Sequence, residues 1–178
     1  ITEQIPCPVT CDPTAVPEGE PPLVDDYLDT HNGGCSSGDG PYPMQVVDYA
    51  TSGASAFICG ESGWFDFQGL PARDDDWFEV TAAGDAVVVT VESEYEVYVL
   101  EAVTADCTSV TFAQAAIAHC DPGTLTIPAT PGETVRFVVI PMARELPPAA
   151  PAQFTYELEV SGHQIYDFTV DVALGDDT

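Results

Sequence analysis

The stretch "DAVVVTVESEYEVYVLEA", residues 85 to 102, decides the fold class. It holds two short runs rich in Val and Tyr, in which apolar and polar residues alternate over several positions, and this alternation predicts β-strands. Comparable runs at 123–129, 133–141 and 153–162 are separated by Gly, Pro or Asp. Strands at such intervals are typical of a sandwich, so we predict an all-β fold, an antiparallel β-sandwich. Only residues 111–120 allow a short helical turn.

The segments that flank the strand-rich region differ from it in composition. Residues 1–24 hold six prolines and two cysteines, which predicts an extended N-terminal arm that lies along the body. Residues 25–43 are rich in Gly, Asp, Asn and Ser and predict a loop. Residues 163–178 contain one more alternating segment and predict an extra C-terminal strand. We therefore expect one sandwich domain at 25–162 between two arms.

The charge of the chain excludes several classes of partner. Lys and Arg together number 3 and Asp and Glu together number 30, so the formal net charge is −27. A protein with this negative charge repels nucleic acid and anionic membranes. Divalent cations and basic partners are compatible with it, and bound Ca²⁺ would relieve the self-repulsion of the folded chain.

The six cysteines indicate disulfides and an extracellular location. Their number is even and none of the usual metal-binding spacings occurs, so we predict three disulfides and no free thiol. Neither a signal peptide nor an apolar run of about 18 residues is present, so we expect a processed, secreted protein without membrane insertion. The predicted pairing joins neighbours along the chain: Cys7–Cys11, Cys35–Cys59 and Cys107–Cys120.

Four stretches share a pattern with a known protein family. They are "RDDDWFEVTAAGDAVVVTVES" (73–93), "YEVYVLEA" (95–102), "LTIPATPGETVRFVVIP" (125–141) and "FTYELEVSG" (154–162). Together they resemble the bacterial pre-peptidase C-terminal domain. The upstream "DTHNGGCSS" (29–37) and "CGESGWF" (59–65) resemble a cysteine-bearing extension in front of such domains. The resemblance implies a non-catalytic, jelly-roll-like module appended to secreted hydrolases. It also implies a similarity to the collagen-binding modules of bacterial collagenases, which hold Ca²⁺ between an acidic linker and an acidic turn.

Acidic residues are concentrated at two places that can meet in such a fold. Asp25, Asp29 and Asn32 lie in the loop, and Asp74 and Asp76 lie where a strand begins. Ca²⁺ takes about six to eight oxygen ligands from converging loops, so these residues predict a Ca²⁺ site. The alternative is that the aspartates only solvate a turn in a protein that is acidic everywhere.

No pattern in the sequence indicates catalysis. The motifs G-x-S-x-G and H-E-x-x-H are absent, and His31, His119 and His163 stand alone, so we predict that the protein is not an enzyme. His119 next to Cys120 suggests zinc, but a disulfide is the better use of that cysteine.

Five aromatic residues near the start of the strand-rich region have two interpretations. Such side chains usually fill a sandwich core, and less often they form a platform that stacks on sugars or partners. We favour the core for this set: Trp64, Phe65, Phe67, Trp77 and Phe78.

Two functions from different classes are compatible with these features. The first is a non-catalytic subunit of an extracellular fibre or surface layer, in which an arm adds as a strand to the sheet edge of another copy. The N-terminal arm is one candidate donor. The C-terminal segment is the other, with one apolar face formed by Phe168, Val170, Val172 and Leu174. The alternative is a secreted accessory module that binds a protein or a glycan.

Overall fold

The computed structural model describes residues 6–38, 40–48 and 55–163, and this part of the chain contains no α-helix. A single 3-10 turn spans Gly34–Ser36. The strands are β1 (Val16–Pro17), β2 (Gln45–Val47), β3 (Ser55–Phe67), β4 (Leu70–Arg73), β5 (Asp76–Thr81), β6 (Ala86–Ser93), β7 (Val97–Val103), β8 (Thr111–Ala118), β9 (Gly123–Pro128), β10 (Thr134–Pro141) and β11 (Gln153–His163).

The strands form two sheets that pack as a sandwich, which confirms the predicted all-β fold. One sheet has the order β1-β3-β11-β6-β9, with β4 paired to β3, and the other has the order β2-β5-β10-β7-β8. Most pairs are antiparallel, but β1 pairs with β3 and β2 pairs with β5 in parallel. The predicted antiparallel pairing thus holds for most of the strands, and the two parallel pairs lie at sheet edges, where the arm and the segment after the loop add a short strand each.

The main core lies between the two sheets and follows directly from the alternation in the sequence. Val87, Val89 and Val91 of β6 are fully buried, and Tyr156 and Leu158 of β11 face the same core. Because successive side chains of a strand point to opposite faces, every second side chain of these runs is buried in the core. Each such side chain contributes about 1.5–3 kcal/mol on burial.

A second apolar cluster lies on the outer face of the β2-β5-β10-β7-β8 sheet. It contains Trp77, Val138 and Ile140, and Cys35 and Met44 pack against it. Gly34 lies so close to Trp77 that a Cβ at this position would fall 2.2 Å from the indole ring. The loop therefore needs a glycine at this point to cover the tryptophan.

Three of the five aromatic residues occupy the buried positions that we favoured. Trp64 and Phe78 belong to the main core and Trp77 to the outer cluster. Phe65 and Phe67 are only half-buried.

Two predictions about elements have different outcomes. The helical turn at 111–120 is wrong, because Thr111–Ala118 is β8, which pairs antiparallel with β7 at the edge of its sheet. The C-terminal strand, with Phe168, Val170, Val172 and Leu174, lies outside the described residues.

All six cysteines form disulfides, as predicted, but the predicted local pairing is wrong. The bonds span 113, 48 and 72 residues of sequence, and they are Cys7–Cys120, Cys11–Cys59 and Cys35–Cys107. The arm runs along the body, so its two cysteines meet cysteines of the body instead of each other. Long-range disulfides restrict the unfolded chain more than local ones, and loops of this length correspond to about 4–5 kcal/mol of stabilisation for each bond.

Candidate metal centre

The N-terminal arm brings two glutamates to the surface of the sandwich. β1 pairs with β3, and the backbone N–H of Glu18 donates to the carbonyl of Cys59 at 2.9 Å. The Glu18 carboxylate accepts hydrogen bonds from the backbone N–H of Glu61 at 3.0 Å and from the hydroxyl of Tyr156 at 2.8 Å. The Cys11–Cys59 disulfide holds the arm on the same strand, so two contacts fix the arm on β3 just before Glu18 and the nearby Glu20.

The segment before β5 supplies two aspartates to the same place. The backbone N–H of Asp74 donates to the carbonyl of Gly63 at 3.0 Å, which fixes the segment against β3. Asp74 is 2% exposed and Asp76 is fully buried. The alternation of an extended chain turns Asp75 the other way, where its carboxylate accepts a hydrogen bond from the Ser36 hydroxyl at 2.8 Å.

The loop contributes Asp29 and Asn32. One carboxylate oxygen of Asp29 accepts the backbone N–H groups of His31 at 2.7 Å and of Asn32 at 3.1 Å, which is an Asx turn. The side-chain amide of Asn32 donates to Asp76 at 3.1 Å and to Glu18. A Cβ at Gly33 would lie 2.5 Å from the other Asp29 oxygen, so a glycine here leaves room for that oxygen.

These residues form what we call the acidic cluster: Glu18, Glu20, Asp29, Asn32, Asp74 and Asp76. It contains two overlapping groups of carboxylates whose ligand atoms lie within 4.8 Å of one another. Glu18, Glu20 and Asp76 form the first group, and Glu20, Asp29 and Asp74 form the second. Glu20 belongs to both, so the cluster is one continuous set of oxygen donors.

Several oxygens of the cluster are buried and accept no hydrogen bond from the described residues. They are Oδ2 of Asp29, Asp74 and Asp76 and Oδ1 of Asn32. A buried polar group without a partner costs about 1–3 kcal/mol, and a charged one costs more. These oxygens are therefore suited to contact a cation.

The nearest arginine in the sequence does not supply that cation. The guanidinium of Arg73 donates to the carbonyl of Pro141 at 2.8 Å, and its Nε lies 3.8 Å from a carboxylate oxygen of Asp75. None of the hydrogen bonds and ion pairs found for Arg73 in the described residues reaches the acidic cluster. Its charge thus faces the end of β10.

The pKa values of the carboxyl groups in the acidic cluster reflect the same excess of negative charge without a nearby cation. Burial raises the pKa of Glu18 to about 8 and that of Glu20 to about 7, and neighbouring carboxylates add to both shifts. The hydroxyl of Tyr27 acts against the rise in the pKa of Glu20. Burial also raises the pKa values of Asp74 and Asp76 well above the ordinary range. Without a cation, ionisation of the whole cluster is therefore unfavourable near neutral pH.

The structure brings together four of the five residues of the predicted Ca²⁺ site. Asp29, Asn32, Asp74 and Asp76 lie in the cluster. Asp25 is exposed, accepts a hydrogen bond from the backbone N–H of Asp66 at 3.2 Å, and belongs to neither group of carboxylates.

Sequence reasoning missed Glu18 and Glu20, because we assigned residues 1–24 to an arm separate from the sandwich. The sequence did contain a signal for them. "EGE" at 18–20 is an acidic segment inside the proline-rich arm, and the family resemblance implies an acidic linker as one side of a Ca²⁺ site.

The structure argues against the zinc site that His119 and Cys120 suggested. Cys7, His119 and Cys120 lie together, but Cys7 and Cys120 are joined in a disulfide. Zinc binds cysteine as the thiolate, so neither sulfur is available as such a ligand.

Comparisons with known proteins give no family for this chain: no protein-family model matches it, and no curated protein is significantly similar to it. The resemblance to the pre-peptidase C-terminal domain remains a prediction. None of the described residues belongs to a helix that is long and apolar enough to cross a membrane.

Proposed function

We propose that this protein is a non-catalytic, Ca²⁺-stabilised structural subunit of an extracellular assembly. The observation that carries the metal part is the set of buried carboxylate oxygens in the acidic cluster that have no hydrogen-bond partner in the part of the chain that the structure describes. The assembly part is supported by an exposed strand at the edge of one sheet.

Ca²⁺ fits the donor set better than the other common divalent ions. All six side chains of the cluster offer oxygen, and they come from an arm, a loop and the start of a strand. Zn²⁺ favours nitrogen and sulfur ligands, and Mg²⁺ demands a small octahedral shell and keeps several waters. Ca²⁺ accepts about six to eight oxygens in a flexible geometry, which matches a site of this size.

The role of the ion would be to join segments that are distant in the sequence. Glu18 and Glu20 come from the arm, Asp29 comes from the loop, and Asp74 and Asp76 come from the body. A cation bound to all three holds the arm on the sandwich in addition to the disulfides. Such a site stabilises the fold and needs no open coordination position for catalysis.

The sheet edge that supports assembly is β8. It is the last strand of its sheet, most of its residues are exposed, and its sequence "TFAQAAIA" has no charged residue and no proline. Edge strands are usually blunted by charge, by proline or by a covering segment, because an open edge is a template for another chain. In a protein of net charge −27, an uncharged edge is also a place where two copies repel each other least.

The structure favours the C-terminal segment over the N-terminal arm as the strand donor. The arm is already engaged with its own sandwich through Cys7–Cys120, Cys11–Cys59 and β1. The segment 164–174 has the alternating pattern that strand addition requires.

Deletion of residues 164–178 tests the assembly. We expect the full-length protein to form polymers in light scattering and negative-stain images, and the shortened protein to remain monomeric with an unchanged β-sheet circular dichroism spectrum. Normal polymers of the shortened protein would refute donation by this segment. A monomeric full-length protein would instead favour the alternative function, a secreted accessory module that binds a protein or a glycan.

A further inference from the structure

A cavity of about 280 Å³ lies beside the acidic cluster and has mainly apolar walls. Tyr27 and Leu28 of the loop form one side, and Phe65, Phe67 and Ala72 of the β3–β4 hairpin form the other. The rings of Tyr27 and Phe65 meet edge to face, with their centres 6.1 Å apart. Pockets for drug-sized molecules begin at about 300 Å³, so this cavity has the size for a single side chain.

The charged residues of the lining are mainly acidic. Asp29, Asp74 and Asp75 line it, with Arg73 as the basic residue in the lining, so three carboxylates and one guanidinium leave a formal charge of −2. Asp74 is 2% exposed, and its Oδ2 has no hydrogen-bond partner among the described residues. Arg73 donates instead to the carbonyls of Pro141 and Met142. The cavity therefore combines apolar walls with an unsatisfied negative end.

We propose that this cavity binds the side chain of a lysine from a basic partner protein. The apolar walls would bury the methylene stem, and the ammonium group would face the carboxylates. Carboxylate oxygens of Asp29 and Asp74 lie within 4.8 Å of each other, so they converge on a point. A compact ammonium with three donors suits convergent oxygens, whereas the planar guanidinium of arginine suits one carboxylate in a bidentate pair.

A second copy of this chain is a poor occupant of the cavity. The sequence contains no lysine and only three arginines. Arg73 and Arg136 already bind within their own chain, Arg136 to Glu79 at 2.8 Å and to the carbonyl of Thr104 at 2.8 Å. Copies of a chain with a charge of −27 also repel each other, while a basic protein is attracted to it. The site thus points to a different protein and does not depend on self-assembly.

The proposed Ca²⁺ does not remove the attraction for a cation. The acidic cluster holds five carboxylates, so one bound Ca²⁺ leaves three formal negative charges if all are ionised. Asp75 is outside the cluster and lines the cavity, and its pKa, which burial raises to about 6, leaves it mainly ionised above pH 7. Asp29 and Asp74 are shared with the proposed Ca²⁺ site, but an ionised carboxylate has about four lone-pair sites, so it can face Ca²⁺ and the ammonium at once. The inference therefore applies to the Ca²⁺-bound protein, and its test is carried out with Ca²⁺ in excess.

The test is isothermal titration calorimetry of the full chain with n-pentylammonium, which reproduces the carbon chain from Cα to Cε and the ammonium group of a lysine residue. Calorimetry does not require a monomer, so the test can be read whether or not the chain assembles. Two matched probes separate the contributions: n-pentanol has the stem without the charge, and ethylammonium has the charge with a short stem. We expect saturable binding at one site per chain with n-pentylammonium, and at least tenfold weaker binding of both control probes.

Two variants test the cavity walls and the acidic end separately. We expect Phe67→Ser and Asp75→Asn each to weaken n-pentylammonium binding about tenfold, as for the loss of apolar contact or of a hydrogen bond to a charged group. Phe112→Ser and Asp121→Asn are the matched controls, since both residues are exposed and lie outside the cavity lining, and they should bind normally. An unchanged melting temperature in Ca²⁺ shows that a variant is folded.

Three results would overturn the inference. Equal binding of n-pentanol would show that the acids contribute nothing. Equal binding of ethylammonium, or binding that does not saturate at about one site per chain, would show unspecific attraction of cations. Binding that occurs only after Ca²⁺ is chelated would show that the ammonium simply occupies the metal site.

Discussion

Replacing Asp76 by Asn should change the free energy of unfolding in opposite directions with and without Ca²⁺. Asp76 is fully buried, and one of its oxygens accepts a hydrogen bond from the Asn32 amide at 3.1 Å. The other oxygen has no hydrogen-bond partner among the described residues, and Glu18 and Glu20 lie close to the carboxylate. Asparagine keeps the acceptor for Asn32, removes one charge and offers an N–H group to the neighbouring glutamates.

The two effects can be estimated from these contacts. In the metal-free protein, the substitution relieves a buried unpartnered oxygen that costs about 1–3 kcal/mol, so the variant should be more stable than the parent. With Ca²⁺ at about 100 times its dissociation constant, the parent should gain about 2.7 kcal/mol. For a chain of this length, that gain raises the melting temperature by roughly 5–10 °C. The variant should lose most of the gain, because it lacks a central carboxylate ligand.

The assay is thermal unfolding followed by circular dichroism at neutral pH and low salt, with chelator or with excess Ca²⁺. Asp25→Asn is the matched control, because it removes the same charge from an exposed residue outside the cluster. It should melt like the parent under both conditions. The reasoning fails if Ca²⁺ leaves the melting temperature of the parent unchanged. It also fails if Asp76→Asn destabilises the chelated protein while retaining the full response to Ca²⁺.

Three further predictions concern the same region. The metal-free protein in chelator should lose stability as the pH rises from about 4.5 to about 8. Burial raises the pKa of Glu18 from 4.5 in the unfolded chain to about 8 in the folded one, so the folded protein binds this proton more tightly, and the resulting stabilisation is lost as the proton leaves. Urea unfolding across this range would show the loss, and a metal-free protein that gains stability with pH would contradict it. Gly60→Ala should destabilise the protein by about 1–3 kcal/mol and weaken Ca²⁺ binding in calorimetry, because the new Cβ would lie 2.6 Å from a carboxylate oxygen of Glu18. Unaltered Ca²⁺ binding would show that the position of Glu18 against β3 does not matter for the metal site. Replacing both Cys11 and Cys59 by Ser should cost about 4 kcal/mol and weaken Ca²⁺ binding, since the arm loses the one of its two disulfides that is closer in sequence to Glu18 and Glu20. An equally tight calcium titration would show that the arm does not need this bond to place its glutamates.

The positions of these β-strands could be predicted from the sequence because the pattern that indicates a strand is local. The runs at 85–93, 95–102, 123–129, 133–141 and 153–162 all form strands near the predicted positions. Alternation depends only on the direction in which successive side chains point, so it is visible without any knowledge of the partner strand. The presence of disulfides also followed from composition alone.

The prediction at 111–120 was wrong because local preference and tertiary pairing disagree there. The alanines of this segment favour a helix, but its residues bond to β7 and bury Ala118 in the main core. The gain from completing a sheet outweighs a weak local preference.

Only the tertiary structure decided which distant residues meet. The acids of the loop and of the start of β5 were recognisable as donors, but the contribution of Glu18 and Glu20 depends on a parallel pairing of two residues, β1 with β3. The pairing of the cysteines depends on the same path of the arm along the body, because this path brings Cys7 to Cys120 and Cys11 to Cys59. Such contacts join segments about 40 to 110 residues apart, as in these two disulfides, and nothing in the local sequence encodes that separation. The sequence by itself therefore determined the strands, the excess of acid and the number of disulfides, while the packing of the arm on the sandwich determined the site.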